Sequence, residues 1–252
     1  MADLFWLSDE EWVRIEPYLP QGRRGAHRVD DRRVISGIVH MLKTGARWRD
    51  CPADYGPYTT IYNRFNRWSR QGVWEDVFYA LTGSSGVIGA AAVDSTHIKA
   101  HRSAAGAKGG PSNNAIGRSR GGRTTKVHAL TDHRGRPYAF ALTPGNVHDL
   151  AGAAAMLARH PAPTKLLADR AYDARSLRDW LAERGCEAVI PPNPTRKHPH
   201  TYDRDAYKAR NLVERMFCRL KDFRRIATRY DKRADTFLAA VLIAAIVLWW
   251  IN

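Results

Sequence analysis

Apolar residues in the first third of the chain recur at helical spacing, and beyond about residue 85 they gather into short strand-like runs. Ser8, with Glu11 three positions on, forms a capping-box pattern ahead of Trp12 and Ile15, and Pro17 and Pro20 close that segment. Asp31 is placed to cap a second helix carrying Val34, Ile35, Ile38, Val39 and Leu42 and ending near Gly45. The Pro- and Gly-containing residues 51–59 read as a turn, and a third helix over 59–71 holds Ile61, Tyr62, Phe65 and Trp68. Strands follow over 87–98, 125–132 and 137–143, the last two joined by a hairpin turn at 133–135. The chain then alternates: a helix over 149–159, a strand over 165–168, a helix over 174–184 and a strand over 188–190. The final apolar run, 237–251, is shorter than the roughly 20 residues of a membrane span. It predicts a helix buried against the back of the sheet.

Chemistry concentrates in residues 207–221, which contain no helix breaker. At about 100° per residue, Tyr207, Arg210, Glu214 and Lys221 fall within an arc of roughly 60°. Leu212, Val213, Met216, Phe217 and Leu220 lie largely around the other side. One carboxylate is thus presented among an aromatic ring, a guanidinium and an ammonium. That set suits a site for metal and phosphate together, and it also suits a plain ion-paired surface helix. Two further acids shift the balance. Asp94 and Asp169 each fall at the end of an apolar run. A charge at the end of a buried strand is costly unless something pairs with it. With Glu214, the two acids supply hard oxygen ligands of the kind that Mg²⁺ or Mn²⁺ prefers. Asp173, four residues after Asp169, is the competing acid, but Asp169 ends the apolar run directly.

These three segments resemble the catalytic core of bacterial insertion-sequence transposases of the Asp-Asp-Glu type, most of all the insertion-sequence-five family. The third segment matches that family's Tyr-x2-Arg-x3-Glu-x6-Lys signature at every fixed position. The resemblance runs over nearly the whole chain and includes the Gly-rich basic segment 103–126. It implies an α/β fold, an RNase H-like mixed sheet flanked by helices, with Asp94 and Asp169 on neighbouring strands. It implies a catalytic domain over 86–252, preceded by a small all-helical DNA-binding domain over 1–85. The turn Gly145-Asn146-Val147-His148-Asp149 resembles a family turn after the third strand, with His148 a loop or supporting residue.

Net charge agrees with a polyanionic partner. The chain carries +15, of which residues 1–85 contribute about +1 and residues 86–252 contribute +14. Residues 99–136 hold nine Lys and Arg against one acid; Arg118, Arg120, Arg123 and Lys126 there are expected to clamp DNA from a segment mobile without a partner. In the helical third, the helix–turn–helix order and a face of Thr60, Asn63, Arg64, Arg67 and Arg70 suggest major-groove reading, with Arg64 and Arg67 as contacts. Three separated cysteines exclude a disulfide framework, and residues 1–6 lack a signal-peptide pattern, so a cytoplasmic, nucleoid-associated protein is expected.

The resemblance implies a transposase that cleaves the ends of an insertion sequence and joins them to target DNA. Asp94, Asp169 and Glu214 would hold two Mg²⁺ or Mn²⁺ ions for in-line phosphoryl transfer. Arg210 and Lys221 would hold phosphates, and Tyr207 would pack on a sugar or base. The DNA partners are terminal inverted repeats and target duplex, and joining two ends implies a homodimer at work. Two alternatives stay open: a metal-dependent nuclease of the same fold without strand transfer, and a catalytically inactive DNA-binding regulator.

Overall fold

The computed structural model describes residues 3–21, 30–83 and 89–252. Its longer helices, in chain order, are α1 (Asp9–Ile15), α2 (Asp31–Thr44), α3 (Tyr58–Arg70), α4 (Val73–Gly83), α5 (Asp149–Leu157), α6 (Arg175–Ala182), α7 (Asn211–Leu220) and α8 (Ala234–Ala245). Its strands include β1 (Ala90–Ala100), β2 (Gly117–Ser119), β3 (Gly122–Thr131), β4 (Pro137–Pro144), β5 (Lys165–Leu167) and β6 (Glu187–Val189). Two compact units result. One comprises Met1–Ser84, His101–Ala107 and Leu220–Asn252, and the other Ser85–Ala100 and Lys108–Arg219. The domain boundary expected at 85/86, and Val87 of the first expected strand, lie outside the described residues.

In the helical unit, Ser8 caps α1 through the expected box: its hydroxyl accepts the Glu11 amide at 3.1 Å and its own amide donates to Glu11 at 2.8 Å. Asp30, rather than Asp31, caps α2 by accepting the Arg33 amide. Gly45 ends α2 at φ 75°, a left-handed conformation that costs glycine little. Residues 45–57 carry two 3₁₀ turns, so α2 and α3 are not joined by the turn of roughly 3–4 residues that a compact helix-turn-helix uses. The C-terminal run corrects its expectation. α8 packs on α2, α3 and α4 and belongs to the helical unit, not to the sheet unit. Those helices turn Val34, Ile38, Ile61, Phe65, Val77 and Phe78 inward, all fully buried, and from Phe237 on α8 is apolar on every face. Burying each such side chain is worth about 1.5–3 kcal/mol. Among the described residues, no helix is long and apolar enough to cross a membrane.

The sheet unit has the order β2-β3-β1-β5-β6, with β4 sharing the outer edge of β3. β1 runs antiparallel to β3, from Ala92 opposite Thr131 to Lys99 opposite Thr124. β1 and β5 are parallel, as are β5 and β6. Three antiparallel strands followed by two parallel ones give the expected RNase H-like mixed sheet. α5 lies on β4, β3 and β1. It approaches so closely that a Cβ at Gly152 would come within 2.4 Å of the His128 ring. The helix expected over 207–221 is divided: Arg204–Tyr207, a 3₁₀ turn at Lys208–Arg210, then α7.

Candidate active site

Asp94 lies in the middle of β1, opposite Ala129 of β3. Asp169 follows two residues after β5, the parallel neighbour of β1, so the strand adjacency expected for these two acids is present. Asp169 caps the 3₁₀ turn Arg170–Tyr172, and its carboxylate accepts the Ala171 amide at 2.9 Å. Glu214 sits in the first turn of α7, whose Val213, Met216 and Phe217 are buried and hold the helix in place.

Arg210 ties these elements together. Its Nη1 donates to Asp94 Oδ2 at 2.9 Å, and its Nη2 donates to Glu214 Oε1. The spacing works because residues three apart eclipse in the 3₁₀ turn, which carries Arg210 over Tyr207, and one α turn then brings it over Glu214. The guanidinium lies 5.7 Å from the Tyr207 ring centre. Lys221 follows the last residue of α7 and belongs by its contacts to the helical unit.

The electrostatics are uneven. Burial pushes the Asp94 carboxyl up; the Ser95 amide, 2.7 Å from Oδ1, and Arg210 lower it, while the charges of Asp169 and Glu214 raise it again, to about 6. The three acids therefore feel one another. Among the described residues, no three His, Cys, Asp or Glu side chains converge closely enough to hold a metal ion as they stand. Asp94 and Glu214 instead share the cation of Arg210.

Asp173 is not available to compete. Its side chain is fully buried and accepts Nε of Arg178 at 2.7 Å, Nε of Arg196 at 2.7 Å and the Asn193 amide at 2.6 Å.

Two expected DNA contacts are corrected. Arg64 is 5% exposed, pairs with Asp31 of α2, and stacks 4.7 Å over Trp68. It therefore fastens α3 to α2, while Tyr62, Asn63, Arg67 and Arg70 form the exposed face. Lys126 is buried in β3, with Nζ 2.7 Å from the Val147 carbonyl and 2.9 Å from Asp149. Asp149 also accepts the Ser95 hydroxyl at 2.6 Å, so a polar cluster absent from the sequence reading lies on the sheet face opposite Asp94. His148 caps α5, its Nδ1 accepting the Leu150 amide. The Gly-Asn-Val-His-Asp turn was the available signal for this cluster, but its partners on β1 and β3 were not in it.

The basic segment is also more ordered than expected. Residues 117–119 pair with 122–124 as a hairpin on β3. Ile116 is buried, the Thr125 hydroxyl donates to the Ala115 carbonyl at 2.6 Å, and Asn114 donates to Lys108 and Gly110. Arg118, Arg120 and Arg123 are exposed there, Arg118 directly opposite Arg123.

Comparison with known proteins gives the family. Residues 7–78 match the family model described as "Putative transposase of IS4/5 family", and residues 86–250 match "Transposase DDE domain". The chain is 38% identical over 127 residues to the "Putative transposase for insertion sequence element IS6501" of Brucella ovis, covering 50% of this chain and 98% of that protein. It is 33% identical over 154 residues to the "Putative transposase for insertion sequence element IS402" of Burkholderia cepacia, covering 57% of this chain and 69% of that one. A pre-cleavage Mos1 transpososome aligns over 89% of this chain and 79% of its own at 13% identity, with a TM-score of 0.28, too low to carry weight. With a transposase DDE domain matched over residues 86–250, the chain belongs to the family of DDE-domain transposases.

Proposed function

We propose that the chain cleaves the ends of an insertion sequence and joins the resulting 3′-hydroxyls to target DNA, with Asp94, Asp169 and Glu214 as the catalytic acids. The observation that supports this most is the convergence of Asp94 and Glu214, from elements remote in sequence, on a single positive group. DDE transposases work with divalent metal ions. The residues here fit such ions: the donors are hard carboxylate oxygens, and a guanidinium already marks a position where positive charge is favoured. When bound, a pair of Mg²⁺ or Mn²⁺ ions supplies Lewis-acid charge that makes a water or 3′-hydroxyl a better nucleophile and neutralises the leaving oxygen.

The chain's own residues do the rest. The three acids supply the anionic oxygens that hold the ions. Arg210 and Lys221 hold phosphates, and Tyr207 packs against a sugar or base. Arg118, Arg120 and Arg123 grip the backbone further along the duplex. The exposed face of α3, with Tyr62, Asn63, Arg67 and Arg70, reads the element's end. Joining two ends requires at least two copies of the chain.

The test is incubation with candidate element ends and Mg²⁺ or Mn²⁺, mapping cut strands and joined products. Cleavage followed by joining supports the proposal. Hydrolysis without joining would leave a nuclease, and binding without metal-dependent nicking would leave a DNA-binding regulator.

A further inference from the structure

Arg210 stands where the chemistry calls for a different cation. One of its nitrogens donates to Asp94, 2.9 Å away, and another to Glu214. The Arg210 and Asp94 side chains are each 17% exposed, so this contact is partly sheltered from water and salt. Other charges are less closely placed. Lys208 is paired with Asp205 at 2.8 Å, Arg215 is exposed on α7, and Asp169 adds negative charge felt at Asp94. Arg210 thus supplies the positive charge that Asp94 and Glu214 share in the DNA-free chain. A divalent ion reaching those carboxylates competes with a guanidinium that already engages one oxygen of each.

We infer that Arg210 is a built-in occupant of the cation position, which keeps divalent metal weakly bound until a phosphodiester draws the guanidinium away. The inference rests on the reading of Asp94 and Glu214 as metal ligands. A guanidinium fork suits phosphate as well as carboxylate, because both present paired oxygens at matching spacing. The phosphate that Arg210 grips and the metal that Asp94 and Glu214 grip are therefore coupled through one side chain. By linkage, DNA raises metal affinity as much as metal raises DNA affinity. The site loads in order, DNA before metal, which holds the hydrolytic chemistry back until a substrate is present.

The test is Mn²⁺ binding to metal-free, DNA-free protein, followed by the electron paramagnetic resonance signal of the free ion. Arg210→Gln should bind Mn²⁺ about tenfold more tightly than the parent, within the usual range for coupled sites. Arg210→Lys, which keeps the charge but loses the fork, should fall between them. Arg215→Gln removes an equal charge from α7, the helix that follows Arg210, at an exposed position, and should stay within about twofold of the parent. Thermal melting checks that each variant is folded. Adding saturating random-sequence duplex should close most of the gap between the parent and Arg210→Gln.

An Arg210→Gln protein that binds Mn²⁺ no more tightly than the parent would overturn the occupant role, and equal gains in Arg210→Gln and Arg215→Gln would replace it with a general field. A parent unaffected by duplex would overturn the release step. The metal-ligand reading fails separately, if the gain survives in the Arg210→Gln/Glu214→Gln double variant.

Discussion

Two carboxylate–arginine groups in the sheet unit use the same residue types to opposite effect. At Asp173 one acid takes two guanidinium donors and a backbone amide. Burial alone would raise its carboxyl, but hydrogen bonds from Arg196, Asn193 and Arg178 outweigh that and hold it at about 2. At Asp94 the ratio is reversed: Asp94 and Glu214 share one arginine, with Asp169 adding a third negative charge, and the Asp94 carboxyl is pushed up to about 6. The first group has enough positive charge and serves as a clamp between α6 and the loop after β6. The second is short of positive charge, which suits a site that must accept cations. The ratio of cations to acids distinguishes the two.

The largest test of that contrast is Asp173→Asn. It leaves two partly buried guanidinium groups without their anion, and should cost about 4 kcal/mol of stability in a denaturant titration. Since the Asp173 carboxyl lies below its ordinary 3.8 in the folded chain, its contribution is present above about pH 4 and lost as pH falls through about 2. A loss under about 1 kcal/mol at neutral pH would make the clamp ornamental.

The same contrast recurs between Arg64 and Arg67. Arg64→Ala removes a buried guanidinium that pairs with Asp31 and stacks on Trp68, and should cost about 2 kcal/mol. Arg67→Ala, on the exposed face, should change stability by less than about 0.5 kcal/mol while weakening binding to element ends in a mobility-shift titration. Equal stability losses would contradict the assignment of one arginine to the core and the other to DNA.

Asp94→Asn should move stability the opposite way from Asp173→Asn. A carboxyl raised from 3.8 to about 6 favours the folded chain only while protonated. That contribution is complete below about pH 4 and is lost as pH rises through about 6. With chelator present, Asp94→Asn should therefore match the parent near pH 4 and exceed it at pH 8 by about 1 kcal/mol. A variant less stable than the parent at pH 8 would show that Asp94, too, is a structural acid.

The smallest effect concerns the opposed pair Arg118 and Arg123. Like charges directly across a ladder repel, so neutralising one should add a few tenths of a kcal/mol. Neutralising both should flatten the plot of log DNA affinity against log salt by about two units. An unchanged slope would remove the hairpin from the DNA-binding surface.

What the sequence made legible was local. Apolar runs and turn residues marked the strands, and Ser8 with Glu11 marked the start of α1. The place of Asp94 and Asp169 at the ends of apolar runs, and the Tyr-Arg-Glu-Lys spacing, singled out the acids, although β1 runs on past Asp94 to Ala100. What escaped it depends on partners far along the chain. Arg64 counted as a DNA contact because a helix-face count records residue type and not that Asp31, on another helix, is waiting for it. Lys126 looked like one more loop cation until its β3 register set it beside Asp149. Asp173 owes its clamp partly to Arg196, 23 residues on. The place of α8 was hidden for a related reason: an apolar run declares that it will be buried, but not against which surface.

The most direct measurement is metal-dependent cleavage and joining of element-end DNA by Glu214→Gln beside Glu187→Gln. Gln has nearly the size and helix propensity of Glu, so both variants should fold and bind DNA. Glu187 is exposed at the sheet edge, where it pairs with Lys165, 3.1 Å away. Glu187→Gln should cut and join as the parent does, while Glu214→Gln should bind DNA and fall to near background in both steps. A Glu214→Gln protein that cuts and joins at the parental rate would contradict the assignment of this carboxylate to catalysis.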